Sequence, residues 1–260
     1  MKVSKRIAFY LSLLIIVALV SACASSADDA NSSTLNSNEA NNGTLTRIDG
    51  EQLTYILPEP QTDGNVSVEQ ALANRRSQRN FQDRAISADQ LSQILWAAYG
   101  ITQPSETPRH RGGLRTTPSA GSRYPLEIYV IVGNVEGIEP GVYRYIALEH
   151  KIVRIIDIDV RYELMDAAVG QRVIVEAPVS VFYSAVYERS IEAYGGRLGI
   201  RYAHIELGHS AQNVYLQAVA LGLGSVAVGV VAGERAREIL NLPTNEEPLY
   251  IMPIGYFYEP

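Results

Sequence analysis

Leu126-Glu-Ile-Tyr-Val-Ile-Val132, closed by Gly133-Asn134, reads as a buried strand, since a short apolar run rich in β-branched and aromatic residues ends on a turn signal. Upstream lies Ser87-Ala-Asp-Gln-Leu-Ser-Gln-Ile-Leu-Trp-Ala-Ala-Tyr-Gly100. There Ser87 and Gln90 have capping-box spacing, and Leu91, Ile94, Leu95 and Ala98 recur at helical intervals, which predicts a helix from about Ala88 to Tyr99. Gly100 is expected in the left-handed cap conformation. Ser67-Val-Glu-Gln70 repeats the capping device and starts an earlier helix. Between the second helix and the strand, Ile101 to Ser122 holds so much Pro, Gly, Thr and Arg that no regular element is expected, and a loop that long points to a site.

Downstream the alternation continues. Val142 to Ile146 and Ile152 to Ile156 predict two strands joined by a short polar turn. Tyr162 to Val169 predicts a short helix and Val179 to Val186 a strand. Arg189 to Leu221 reads as mainly helical, Ser225 to Val231 as a strand, Arg235 to Leu240 as a helix, and Leu249 to Tyr256 as a last strand. Interleaved elements of both kinds imply α/β or α+β, with helices packed on a central sheet.

The 260 residues are 47% hydrophobic, enough for a core, which excludes disorder throughout. A net charge of −6 leaves no basic surplus for a polyphosphate backbone, so no nucleic-acid partner is expected. One cysteine makes neither an internal disulfide nor a thiolate cluster. His204 and His209 are five apart, off the spacing that places two ligands on one helical face, so no metal is expected. Structural duty is the expectation for both, for Glu206, Gln212 and Asn213, which could hold their helix against a partner, and for Trp96.

The amino terminus accounts for the cysteine. Lys2, Lys5 and Arg6 precede an apolar run from Ile7 to Val20 that is too short to span a bilayer and fits an export signal. Val20-Ser-Ala-Cys23 then resembles a bacterial lipobox, with Cys23 as the lipidated first residue of the mature chain; the competing reading is an uncleaved membrane anchor. Losing the signal takes the formal charge from −6 to −9. Ala24 to about Gly50, dominated by Ser, Asn, Thr, Ala and Asp, cannot offset its ordering entropy and reads as a stalk. The expected organisation is a signal over 1–22, a lipidated stalk over 23–50 and a folded domain over 51–260, exported and anchored to a membrane on its outer side.

Two stretches carry the candidate chemistry. Arg75-Arg76-Ser77-Gln78-Arg79-Asn80-Phe81 concentrates guanidinium forks and a hydroxyl suited to a phosphate; alternatively its arginines only complement a helix C-terminus. Thr116-Thr-Pro-Ser-Ala-Gly-Ser-Arg-Tyr-Pro-Leu126 has small residues that let backbone approach a flat ring; alternatively it is a rigid loop leading into a strand.

Taken with Gly141-Val-Tyr-Arg-Tyr145, Arg201-Tyr-Ala-His-Ile-Glu-Leu-Gly-His-Ser-Ala-Gln-Asn213 and Ala220-Leu-Gly-Leu-Gly-Ser225, these stretches resemble the FMN-dependent nitroreductase family. Within it they look most like the branch of azoline-forming peptide dehydrogenases of thiazole and oxazole biosynthesis. The resemblance implies an α+β fold with a central, mostly antiparallel sheet flanked by helices, and a homodimer. It also implies FMN held by Arg75, Arg76, Ser77 and Arg79, bordered by Pro118, Ser119, Ala120 and Gly121 from the partner subunit, with backbone of Val228, Gly229 and Val230 near the flavin N5. Tyr194 falls on the substrate side as the candidate catalytic residue, and electrons pass in two steps from a small donor such as NAD(P)H to a small oxidised acceptor. Where the azoline branch has a lysine before its tyrosine, this chain reads Ala193-Tyr194-Gly195, which argues against heterocycle oxidation. No basic residue follows Arg237, so phosphate binding would rest on the arginine stretch and Arg123. A non-catalytic flavin- or ligand-binding lipoprotein on the same scaffold is the remaining alternative.

Overall fold

Both capping boxes form. Ser67 Oγ accepts from the Gln70 amide at 3.2 Å while Gln70 Oε1 accepts from the Ser67 amide at 3.0 Å; Ser87 and Gln90 exchange the same pair at 3.1 and 3.0 Å. The structure, a computed structural model, describes residues 44–229 and 233–259. Cys23, the export signal, most of the stalk and Val230 lie outside the described residues.

In chain order come β1 (Thr46–Ile48), β2 (Thr54–Ile56), α1 (Val68–Asn74), α2 (Ala88–Tyr99), β3 (Ile101–Ser105), β4 (Gly112–Arg115), β5 (Leu126–Val132), β6 (Gly141–Ile146) and β7 (Lys151–Ile156). Then follow α3 (Arg161–Ala167), α4 (Val173–Glu176), β8 (Val179–Ala185), α5 (Glu188–Tyr194), α6 (Gly196–Ala220), β9 (Gly224–Ser225), α7 (Gly233–Ile239) and β10 (Glu247–Gly255). Among the described residues one sheet runs β1-β2-β7-β6-β5-β8-β10-β9, every neighbouring pair antiparallel. The fold is α+β.

Strand β5 explains its own sequence, apolar at every position but Glu127. Leu126, Ile128, Val130 and Val132 pack with α2 and α6 on one face, while Tyr129 and Ile131 pack with α3, α4 and α7 on the other. A strand covered on both faces shows no polar alternation. Helix α6 packs through Gly199, Ala203, Glu206, Leu207, Ser210, Ala211, Val214 and Ala218, a stripe at three- and four-residue steps.

Several expectations change. Ordered pairing starts at Thr46, ahead of the Glu51 boundary: β1 pairs with β2, and Arg47 bridges Asp49 and Glu139 at 2.9 and 2.6 Å. Its side chains are exposed, so composition carries no sign of it. Ile101 to Ser122 is not free of regular structure, because β3 and β4 form a hairpin in which Ile101 faces Arg115 and Ser105 faces Gly112. Backbone pairing rather than an apolar face holds it. Gly100 is extended, at φ −65 and ψ 156, and glycine is needed there because a Cβ would collide with Trp96. The helical stretch after Arg189 breaks at Gly195, whose φ of 75 an L side chain rarely adopts. Of the strand expected over Ser225 to Val231, the described residues form only Gly224–Ser225 and a single bridge from Val228 to Ile251, and Val230 and Val231 lie outside the described residues. Opposite Val226 stands Pro253, which has no N–H for the ladder.

Candidate functional site

After α1 the chain runs extended beside β9. Ser77 forms a parallel bridge with Ser225, and the Gln78 amide donates to the Ser225 carbonyl at 3.0 Å. The arginine stretch is thereby set against the segment that leads to Val228 and Gly229. Arg76, Ser77 and Arg79 are exposed and Arg75 is half-buried, its guanidinium 5.4 Å from the centre of the Tyr215 ring. Arg76 Nη1 donates to the carbonyls of Ala73 and Arg75 at 2.9 and 2.8 Å. So part of Arg76 does serve the helix C-terminus, as the plainer reading held. Among the described residues none of Arg75, Arg76 and Arg79 has a carboxylate within ion-pairing distance. Ser225 Oγ beside them is buried without a hydrogen-bond partner.

The second stretch is fixed from three directions. Thr117 Oγ1 donates to the Ala98 carbonyl at 2.8 Å, Asn213 Nδ2 donates to Thr117 Oγ1 at 3.1 Å, and Ser119 Oγ accepts from the Tyr124 amide at 2.8 Å. Gly121, at φ 57, lies so close to Tyr194 that a Cβ would strike its hydroxyl. Tyr194 also stacks edge-on against Tyr202, with centroids 4.8 Å apart. Pro118, Ser119 and Ala120 line a cavity of about 290 Å³ with Tyr202, Ile205, Glu206 and His209. None of Arg75, Arg76, Ser77 and Arg79 lines that cavity.

Glu206 is more than the helix-holding group expected from the sequence. Its carboxylate is buried, accepts from the Tyr99 hydroxyl at 2.5 Å, and is pushed up to about pKa 7 by burial, against the pull of hydrogen bonds from Ser119 and Tyr99 and the charges of Arg115 and Arg189. A carboxyl near pKa 7 can take or give a proton at neutral pH. The signal was present: Glu206 falls in register with Ala203, Ser210 and Val214 on the buried face of α6. Within the chain, Glu206 bonds Tyr99, and Asn213 bonds Thr116 and Thr117. His204 bonds the Tyr187 hydroxyl at 2.6 Å.

A sequence profile of the Nitroreductase family matches residues 72–256. The chain belongs to the nitroreductase family. A protein of Methanocaldococcus jannaschii assigned by name to the nitroreductases is 45% identical over 206 residues, covering 79% of this chain and 98% of its own. The trifolitoxin-processing protein TfxB of Rhizobium leguminosarum bv. trifolii is 31% identical over 115 residues, covering 42% of this chain and 30% of its own. A Ralstonia eutropha structure, also assigned by name to the nitroreductases, superposes with a TM-score of 0.66 at 26% identity, covering 84% of this chain and all of that one. As a nitroreductase-family protein the chain is an oxidoreductase.

The residues of this nitroreductase-family chain fit a flavin mononucleotide. Unpaired guanidiniums beside an orphaned buried hydroxyl suit a phosphate and a hydroxylated chain. At Gly229 a Cβ would meet nothing within 4 Å, so that backbone is open to a flat ring.

Proposed function

We propose that this nitroreductase-family protein is an FMN-dependent oxidoreductase that works as a homodimer, exported and held at a membrane through lipidated Cys23. The observation that carries the flavin reading is the set of unpaired arginines, Arg75, Arg76 and Arg79, bridged through Ser77 to Ser225 with its unsatisfied hydroxyl. In this reading Arg75, Arg76, Ser77 and Arg79 hold the phosphate and the sugar-alcohol chain. The backbone of Val228 to Val230 runs beside the ring, and Pro118 to Gly121 of the second subunit close over it.

When bound, FMN would supply two-electron chemistry between a donor such as NAD(P)H and a small oxidised acceptor. The chain's own part is to orient and to manage protons. Tyr194, pressed against Gly121, orients the acceptor, and Glu206, buried beside Ser119, can take or give a proton near neutral pH.

A second reading, from the sequence resemblance, is oxidation of azoline heterocycles in a peptide, and the likeness to a trifolitoxin-processing protein is compatible with it. Ala193 in place of a lysine weighs against it. The test is a visible spectrum of the purified protein followed by anaerobic addition of NADH or NADPH. A flavin spectrum that bleaches and returns with a nitroaromatic or quinone supports the first reading. Return with a peptide azoline alone supports the second. A flavin that no donor bleaches would leave only a binding lipoprotein. Cell fractionation tests the anchor: Cys23→Ala should move the protein out of the membrane fraction, whereas retention after a high-salt wash would defeat lipidation.

A further inference from the structure

Arginines gather a second time, around the β3–β4 hairpin. Arg111, Arg115, Arg144 and Arg189 line a cavity of about 160 Å³ together with Glu127. Arg111 and Arg189 also line an adjoining cavity with Arg109, Arg123 and Glu192. Six guanidiniums thus face two carboxylates, a surplus of four positive charges in a chain whose overall charge is −6.

The surplus is not neutralised from within. Glu127 is fully engaged, Oε2 accepting from Arg144 at 2.7 Å and Oε1 from Arg189 at 2.5 Å. Arg111 and Arg115 have no carboxylate within ion-pairing distance among the described residues. Arg115 donates Nη1 to the Tyr99 carbonyl at 3.0 Å and sits 4.4 Å over the Tyr99 ring, yet its Nε is buried without an acceptor. A buried donor on a charged group left without an acceptor is costly, and native proteins keep few of them. Burial and the neighbouring charges of Arg189 and Arg115 also disfavour the charge on Arg111.

We propose that this arginine-lined cavity binds a small doubly charged oxyanion of the phosphate class, with Arg111 and Arg115 as its donors and with Arg144 and Arg189 held in place by Glu127. A dianion matches the surplus better than a monocarboxylate, and guanidinium forks fit its oxygens. The space lies below the roughly 300 to 1,000 Å³ of pockets for drug-sized ligands, so the ligand is a phosphoryl group or a short phosphate ester and not a dinucleotide.

The test titrates inorganic phosphate into the full chain, saturated with FMN to occupy Arg75–Arg79, with ionic strength held constant by chloride and heat measured by calorimetry. Expected is saturable binding, weakened roughly tenfold or more in Arg111→Gln and in Arg115→Lys but unchanged in Arg76→Ala. Arg111 is exposed and forms no ion pair among the described residues, so Arg111→Gln should fold, and an unchanged melting temperature confirms it. Absence of saturable heat up to about 10 mM phosphate, ten times a millimolar Kd, would overturn the proposal. So would Arg111→Gln binding like wild type, or a loss confined to Arg76→Ala. A lipid source is separated from a soluble one by vesicles. Those containing phosphatidate displace inorganic phosphate if the headgroup is the natural ligand, and leave the titration unchanged if a soluble phosphate ester is.

Discussion

Arg75 to Arg79 and the layer running from Glu206 through Tyr99 and Arg115 to Glu127 are both built from charged and hydroxylated side chains, but they meet water differently. The first stands mostly at the surface, with no carboxylate in ion-pairing distance of its arginines among the described residues. The second is buried and tied together: Tyr99 donates to Glu206, Arg115 lies over the Tyr99 ring, and Glu127 receives Arg144 and Arg189. Exposed charges cost the fold almost nothing and are free to meet a ligand. Buried ones are bound into the fold, so removing one leaves its partners uncompensated.

The sharpest way to break this comparison is Glu127→Ala. It strands Arg144 and Arg189 in a partly buried site and should lower unfolding free energy by about 3 to 5 kcal/mol, read from urea denaturation. A loss below about 1 kcal/mol would place Glu127 with the surface charges.

Next comes Glu206. At acid pH its carboxyl is protonated in folded and unfolded chains alike. As pH rises from its ordinary range towards about 7, the unfolded chain gives up that proton while the folded chain keeps it, so stability falls and the fall is complete above pH 7. Glu206→Gln should remove a decline of about 2 to 4 kcal/mol between pH 4 and 8. His150 tilts the profile the other way. Burial depresses its pKa to about 4, so it favours folding above its ordinary pKa and loses that contribution as pH falls. Wild type minus variant therefore isolates Glu206, and parallel profiles would show that its carboxyl is not held protonated.

On the exposed side, Arg76→Ala should reduce flavin affinity by about 1.5 to 3 kcal/mol, tenfold to a hundredfold, with little change in melting temperature. A large drop in melting temperature with flavin affinity intact would mean that its bonds to Ala73 and Arg75 are its whole role.

The smallest expected effect belongs to Tyr194→Phe, which keeps the edge-on contact with Tyr202 and loses only the hydroxyl beside Gly121. Flavin content should stay the same while turnover changes by less than about a hundredfold, the lower range for one proton-handling group. Steady-state rates on flavin-saturated protein, unchanged for every acceptor, would remove Tyr194 from the catalytic residues.

Helix α2 was legible to the residue because its cap and its apolar spacing are local, and β5 because seven consecutive buried residues leave no other reading. The arginine stretch and the Pro118–Gly121 loop were legible by residue type. Strands β1, β3 and β4 were not, since β1 and β3 pair through exposed positions and β4 is half glycine, which leaves no hydrophobic period. By itself the sequence determined the capped helices and the buried strands, the family and the residues suited to a phosphate. Tertiary structure alone decided that Ser77 lies against Ser225, that Tyr194 meets Gly121, and that Glu206 is buried beside Ser119 with a proton to spare. Propensity, capping and charge act within a few residues. Burial and the pKa shift that follows depend on what distant segments bring to the same place, and no local pattern records that.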